Sequence, residues 1–136
     1  MNTAMSIQEL LQPLFPGLMG VQLTEVTPEW VVGAMEVRPD LCTTGEVLHG
    51  GAIMAFADTL GAVATLVNLP QDTRTTTIES KTNFLGAVRQ GWVSASASPL
   101  HRGGTTIVVE TAVHDEAGKL VAKVTQTQLV LRPRQA

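Results

Sequence analysis

The sequence contains no tyrosine, and its only aromatic residues besides histidine are two tryptophans and three phenylalanines. A core built with so few rings must be filled mainly by Val, Leu, Ala, Ile and Met. Cys42 is the single cysteine. It excludes an internal disulfide and suits a reducing, cytoplasmic setting. There is no long basic run, aromatic residues do not interleave with basic ones, and the net charge is −3, which together argue against a nucleic-acid partner. His49, His101 and His114 lie far apart and form no metal-spacing motif, so no metal site and no cofactor are expected. The opening MNTAMSIQELL lacks a basic region followed by a long apolar run and does not read as a signal peptide. A membrane span is not expected either, because the longest apolar segment carries Asp58 and several glycines. Repeats, linkers and low-complexity tracts are missing.

What is present points to a globular chain. At 136 residues, with 44% hydrophobic and 15% charged residues, it is long and apolar enough to bury a core without disulfides or metals. One domain over residues 1–136 is expected.

Residues His49 to Asn68, HGGAIMAFADTLGAVATLVN, dominate the pattern. The run is too long and too rich in Ala, Leu and Met for one buried strand, and it reads as a helix over about 49–68, opened by Gly50-Gly51 and closed by Pro70. It is apolar on nearly every face, so other protein must surround it. Asp58 is its only ionisable side chain between Gly50 and Asn68. A carboxylate held in such a place either does chemistry or bonds a structural partner, and the helix alone leaves both readings open. The first amides of the helix carry partial positive charge and lack intrahelical acceptors. Glycine at 50 and 51 leaves them open to a carbonyl or oxyanion, or serves close packing of two backbones.

The rest wraps this helix. Ser6 with Glu9 resembles a capping box, and Ile7, Leu10, Leu11 and Leu14 form one stripe, so a short helix is expected over about 6–14. Gly20–Thr27, Trp30–Val37, Thr75–Leu85, Trp92–Leu100, Thr105–Asp115 and Leu120–Leu131 read as strands, with turns at Pro28-Glu29, Arg102-Gly103-Gly104 and Glu116 to Lys119. In Thr75–Leu85, simple alternation puts Ile78, Ser80, Thr82 and Phe84 on one face. Leu41–Leu48 reads as a loop. A single sheet covers only one side of the long helix, so at least a homodimer is expected.

Leu48-His49-Gly50-Gly51 followed by Ala57-Asp58 resembles the HGG…(D/E) signature of hotdog-fold acyl-CoA thioesterases of the phenylacetate-degradation (PaaI) type. The likeness runs through Thr82-Asn83-Phe84-Leu85, Gly91, Gly103-Gly104-Thr105-Thr106 and the Asp115–Lys119 turn, over roughly residues 20–134. The RGGTT turn and the closing Leu131-Arg132-Pro133-Arg134 are most similar to the 4-hydroxybenzoyl-CoA thioesterase branch, which often carries Glu where this chain has Asp58.

The resemblance implies an α+β hotdog fold, a long central helix wrapped by a five- to six-stranded antiparallel sheet. It implies hydrolysis of a small aromatic or medium-chain acyl-CoA, with the CoA thioester as substrate. The backbone N–H of Gly50 would hold the thioester oxygen, and Asp58 would act as nucleophile or general base. His49 would orient the oxyanion site. Thr43 falls where relatives carry Asn or Gln, with Thr44 as a substitute, and Thr77 falls where relatives carry a small hydroxyl residue near the water. Gly51 and Met54 would meet the substrate, and Arg102, Gly104, Thr105, Arg132 and Arg134 would meet CoA, with Arg89 and Lys81 as further cations. Each of these cations could equally be a solvated surface charge. Phe56 and Leu60 could line the acyl pocket or simply fill the core.

Gly50 and Asp58 are about 12 Å apart along one helix, so one thioester meets both only if two antiparallel helices from two chains share it. A homodimer with shared sites, paired further into a tetramer, follows from the resemblance. Two other readings are an acyl-CoA-binding module without catalysis, which could dispense with Asp58, and an acyl hydratase or dehydratase, whose His-and-acid spacing this chain lacks.

Overall fold

A computed structural model of the chain describes residues 3–134. In chain order the elements are helices α1 (Thr3–Leu11) and α2 (Phe15–Met19), strands β1 (Gln22–Val26), β2 (Val31–Glu36), β3 (Cys42–Thr43) and β4 (Val47–Leu48), helix α3 (Gly50–Leu66), and strands β5 (Arg74–Phe84), β6 (Trp92–Arg102), β7 (Thr106–His114) and β8 (Leu120–Leu131). Six strands form one antiparallel sheet in the order β1-β2-β6-β7-β8-β5. The expected α+β architecture of a long helix held by an antiparallel sheet is therefore observed, with α3 packed against β2, β5, β6, β7 and β8. No helix among the described residues is long and apolar enough to cross a membrane.

Strand periodicity explains how the helix is gripped. Inward positions of β7 (Ile107, Val109, Thr111, Val113) and of β8 (Ala122, Val124, Gln126, Gln128, Val130) are buried, while their neighbours along each strand, apart from the buried Val121, are half-buried. Val93, Ala95 and Ala97 of β6 and Val31 and Met35 of β2 continue this floor. Helix α3 lays Ile53, Phe56, Leu60, Val63 and Ala64 onto it. Phe56 and Leu60 are wholly inaccessible, so they are core and do not line a ligand pocket. What α3 leaves uncovered is a stripe at three- and four-residue spacing that includes Gly51, Met54, Asp58 and Leu66.

Three local readings of the sequence change. The first helix spans Thr3–Leu11, so Ser6 lies inside it and is no N-cap. It ends early because Pro13 cannot continue a helix. Leu14 instead precedes α2, which has Pro16 in its first turn. Gln8 then pins α1 to the sheet edge: its Nε2 donates to the Val21 carbonyl at 3.0 Å and its Oε1 accepts from the Leu23 N–H at 2.7 Å. The Leu41–Leu48 loop is entered through a 3-10 turn over Pro39–Leu41 and contains the two-stranded β3–β4 ladder.

The third change is in β5. Its pairing with β8 slips between Thr77 and Glu79, so Ile78 is an extra residue in a bulge. Thr77 pairs with Gln128 and Ser80 with Gln126. Because both glutamines face α3, Thr75 and Thr77 share the helix-facing side with Ser80, Thr82 and Phe84. Ile78 leaves that face and is 57% exposed. A bulge re-aims the side chains on one side of it, and here it turns Thr77 toward the helix.

Truncation of Phe56 to Ala removes the largest side chain from the helix–sheet contact. A loss of about 3–5 kcal/mol is expected from such a cavity, read as a lowered denaturation midpoint at unchanged slope. A midpoint equal to that of the wild type means the helix is not seated as described.

Candidate active site

The N-terminus of α3 is built by its own histidine. His49 is the N-cap, with φ −62° and ψ 135°, and its Nδ1 accepts the Gly51 N–H at 2.7 Å. Its carbonyl accepts the N–H groups of Ala52 and Ile53. A Cβ at Gly51 would lie 2.8 Å from that ring nitrogen, so only glycine leaves room for the cap. Three amides at the start of the helix thus have acceptors, and the Gly50 N–H has none among the described residues. The glycine pair is divided in its work: Gly51 makes space for the imidazole, and Gly50, whose N–H stays a free donor, makes space for the Phe84 ring, which a Cβ there would meet at 3.1 Å. With Nδ1 accepting, neutral His49 carries its proton on Nε2, which makes that exposed edge a second donor beside Gly50.

Asp58 sits on the uncovered stripe two turns further along. Its outer edge is exposed in a single chain, while the inner oxygen Oδ1 meets Gln126 Nε2 at 3.3 Å. Crowding by protein raises its pKa above the usual 3.8, because a carboxylate stripped of water is disfavoured. Hydrogen bonds from the Thr77 hydroxyl and the Gln126 amide act in the opposite direction and offset part of the rise. The Thr77 oxygen itself accepts Gln128 Nε2 at 2.8 Å, and Gln128 Oε1 accepts the Thr75 hydroxyl at 3.1 Å. Beside Asp58 opens a groove of about 330 Å³ between α1 and α3, walled by Ile7, Leu10, Leu11, Ala62 and Leu66.

Among the residues that the sequence singles out, the structure brings Asp58 and Thr77 together. It places His49, Gly50 and Gly51 at the other end of the helix stripe, with Met54 (38% exposed) between the two groups. Thr43 lines a separate cavity of about 670 Å³ with Arg38, Glu46 and Arg89. The expected CoA-binding group lies on the RGG turn and the end of β8. Arg102 Nη2 donates to the Pro28 carbonyl at 2.8 Å, as does Asn68 Nδ2 from just beyond the C-terminal end of α3. Arg132 Nη2 donates to Gly104 O at 2.9 Å. Thr105 accepts from the Val130 N–H through its carbonyl, and Arg134 is exposed.

The sequence reading missed Gln126, Gln128 and Gly61. A signal existed: in Leu120–Leu131 both glutamines occupy the inward phase of an otherwise apolar strand face, where a polar side chain needs a reason.

Comparison with known proteins gives the family and the fold. The model of the Thioesterase superfamily matches residues 45–122, which contain His49, Gly50, Asp58 and Thr77. A Vibrio cholerae protein bearing an esterase name is 35% identical over 111 residues, covering 82% of this chain and 74% of its own. A Saccharolobus solfataricus protein with the same kind of name is 41% identical over 98 residues, covering 71% and 69%. The crystal structure of a thioesterase from Haemophilus influenzae superposes with a TM-score of 0.92 at 25% identity, covering 97% of this chain and 92% of that one. A helix wrapped by a six-stranded antiparallel sheet, a glycine-opened helix start and a carboxylate two turns along it are thus found in a chain that belongs to the Thioesterase superfamily, with its hotdog fold.

Proposed function

We propose that the chain is an acyl-CoA thioesterase that hydrolyses a small aromatic or medium-chain acyl-CoA to the free acid and CoA. The observation that carries this reading is the pairing, on one exposed stripe of α3, of an unoccupied amide at Gly50 with the carboxylate of Asp58. In this mechanism the thioester oxygen accepts the Gly50 N–H, with His49 Nε2 as a second donor. Asp58 supplies the attack, either directly on the carbonyl carbon or as a base on water, and Thr77 holds it or that water. Collapse of the tetrahedral species expels the CoA thiolate, which takes up a proton; attack by water yields the free acid at once, whereas direct attack leaves an anhydride on Asp58 that water then hydrolyses to the acid and the regenerated carboxylate. The apolar groove beside Asp58 takes the acyl group, the aromatic choice resting on the 4-hydroxybenzoyl-CoA branch likeness. Met54 borders the reacting centre, Arg102, Arg132 and Arg134 meet the CoA phosphates, and the RGGTT turn at Gly104 and Thr105 supplies further donors. Thr43, in its separate cavity, takes no step in this mechanism.

The assembly is part of the proposal. The amide and the carboxylate are about 12 Å apart on one helix, so the site is completed by a second chain running antiparallel. Two features support this. The stripe that holds Asp58 and borders the half-buried Gly50 is uncovered, and the neighbouring edge strand β5 is eleven residues long with Ile78 and Phe84 exposed, an edge that a monomer would ordinarily protect. A tetramer of two such dimers would keep the shared sites.

Thiol release from acyl-CoAs ranging from acetyl to palmitoyl, with benzoyl, hydroxybenzoyl and phenylacetyl esters, tests the reading. Asp58→Asn should lower kcat by about 10²- to 10⁴-fold with binding retained. Binding without thiol release by the wild type, or a fully active Asn variant, would instead favour an acyl-CoA-binding module.

Because the ionised form is the working one and its pKa is raised, kcat/KM should fall on the acid side at a pH above the ordinary carboxylate range. The same shift has a stability sign. Folding favours protonated Asp58, so its contribution is full below pH 3.8 and is lost as pH rises through the folded value. The Asn variant should therefore melt higher than wild type at pH 7–8, and the gap should close in acid.

Shared sites predict complementation. Pro is tolerated at the first helical position and His49 already has the extended geometry that precedes proline, so Gly50→Pro deletes the free N–H and keeps the helix, with a small shift of the exposed Phe84 ring to admit the new Cβ. Two inactive variants, Gly50→Pro and Asp58→Asn, refolded together should regain about a quarter of wild-type activity, because half of the randomly formed dimers hold one intact site. No recovery in demonstrably mixed dimers would place both groups in one chain.

A further inference from the structure

Two buried glutamines stand behind the carboxylate, and simple packing does not explain them. Gln126 is 1% exposed and its Oε1 has no hydrogen-bond donor among the described residues. An orphaned buried carbonyl is costly, and an apolar side chain there would avoid the cost. The backbone of α3 has nevertheless made way for it: a Cβ at Gly61 would lie 2.0 Å from Gln126 Oε1 and 2.8 Å from Nε2. The missing side chain at 61 lets the amide slide over the helix and reach Asp58 with Nε2. Gln128, equally buried, holds the second donor. Its Nε2 fills a lone pair of Thr77 Oγ1, leaving that hydroxyl's one proton free to point at the carboxylate. The bulge at Ile78 puts Thr77 on this face.

We propose, given a catalytic Asp58, that Gln126 and Gln128 are positioning residues: Gln126, seated in the notch at Gly61, fixes one carboxylate oxygen, and Gln128 aims the Thr77 hydroxyl at the same carboxylate. Donors in series strengthen one another, so the chain Thr75–Gln128–Thr77–Asp58 orients the carboxylate more firmly than Thr77 alone. The cost is one unsatisfied oxygen in the core.

The groups facing Asp58 come from α1 (Ile7, Leu10, Leu11), from β5 (Thr75, Thr77) and from β8 (Gln126), and none of them is ionisable. Within one chain the two donor hydrogen bonds are therefore what hold the carboxylate's proton affinity down. Removal of either should make Asp58 harder to ionise.

The test uses Gln126→Met, an unbranched replacement of similar length that fits the same notch, in the full-length protein. Its melting temperature should equal or exceed that of wild type, since the orphaned oxygen is gone. Its kcat should fall by about 10- to 100-fold, the scale of a misplaced reacting group, with KM within about threefold, and the acid limb of kcat/KM should move to higher pH. Gln128→Met should shift the limb the same way. Gly61→Ala, which pushes the amide out of its notch, should reproduce the kcat loss, and adding Gln126→Met to it should cost little more.

Asp58→Asn is run beside these. If it is inactive while folded Gln126→Met and Gln128→Met keep wild-type kcat and an unmoved acid limb, the positioning role is wrong and the catalytic Asp58 stands. A Gln126→Met that loses stability and activity together with the limb unmoved would make the glutamine structural and likewise overturn the proposal. If Asp58→Asn is as fast as wild type, the catalytic reading itself fails. Should Gln126→Met not fold, Gln128→Met alone decides through its limb.

Discussion

The seating of α3 on the inner face of the sheet is the contact on which everything else depends. Ile53, Phe56, Leu60, Val63 and Ala64 commit the buried side of the helix. That commitment fixes the rotation of the helix about its axis, and with it the direction of Gly50, Met54 and Asp58. A helix without tyrosine-sized neighbours is packed here by small and branched residues, and small residues permit close approach. Gly33 of β2 shows how close, since a Cβ there would stand 3.2 Å from a methyl of Leu60. Little play is left for the polar stripe, so the positions of amide and carboxylate are set by the hydrophobic core.

At Asp58 three influences compete. Loss of water pushes the proton affinity up, while the Thr77 hydroxyl and the Gln126 amide push it down, and burial is the largest of the three. A carboxyl tuned this way is a better proton acceptor than one in bulk water but still ionises. Both donors come from the sheet and the carboxylate from the helix, so the helix–sheet contact that fixes geometry also fixes the balance of charge.

Much of the fold was legible because its signals are long. The apolar run after His49 announced the helix, and most strand boundaries followed from alternation and from glycine or proline at turns. The N-terminal helix differs from its expected span at both ends: the capping pattern at Ser6 lies inside it, and Pro13 stops it at Leu11. In the site, Gly50 and Asp58 were visible as the odd residues in an apolar segment. Gln126 and Gln128 were not, because a glutamine in a strand is ordinary until its neighbours reveal which side faces inward. Nor could composition show that His49 occupies the Gly51 amide and so distinguishes two adjacent glycines.

The bulge at Ile78 has a consequence for how the strand can change over time. Its two halves are out of phase, so an odd insertion or deletion on either side would exchange a row of hydroxyls facing the helix for the row that holds Thr76, Glu79, Lys81 and Asn83. Substitutions on the outward row of β5 therefore disturb the site less than changes in the strand's length. When Thr77 is matched to positions in kindred chains, the count has to start from the Arg74 end of the strand and stop at the bulge.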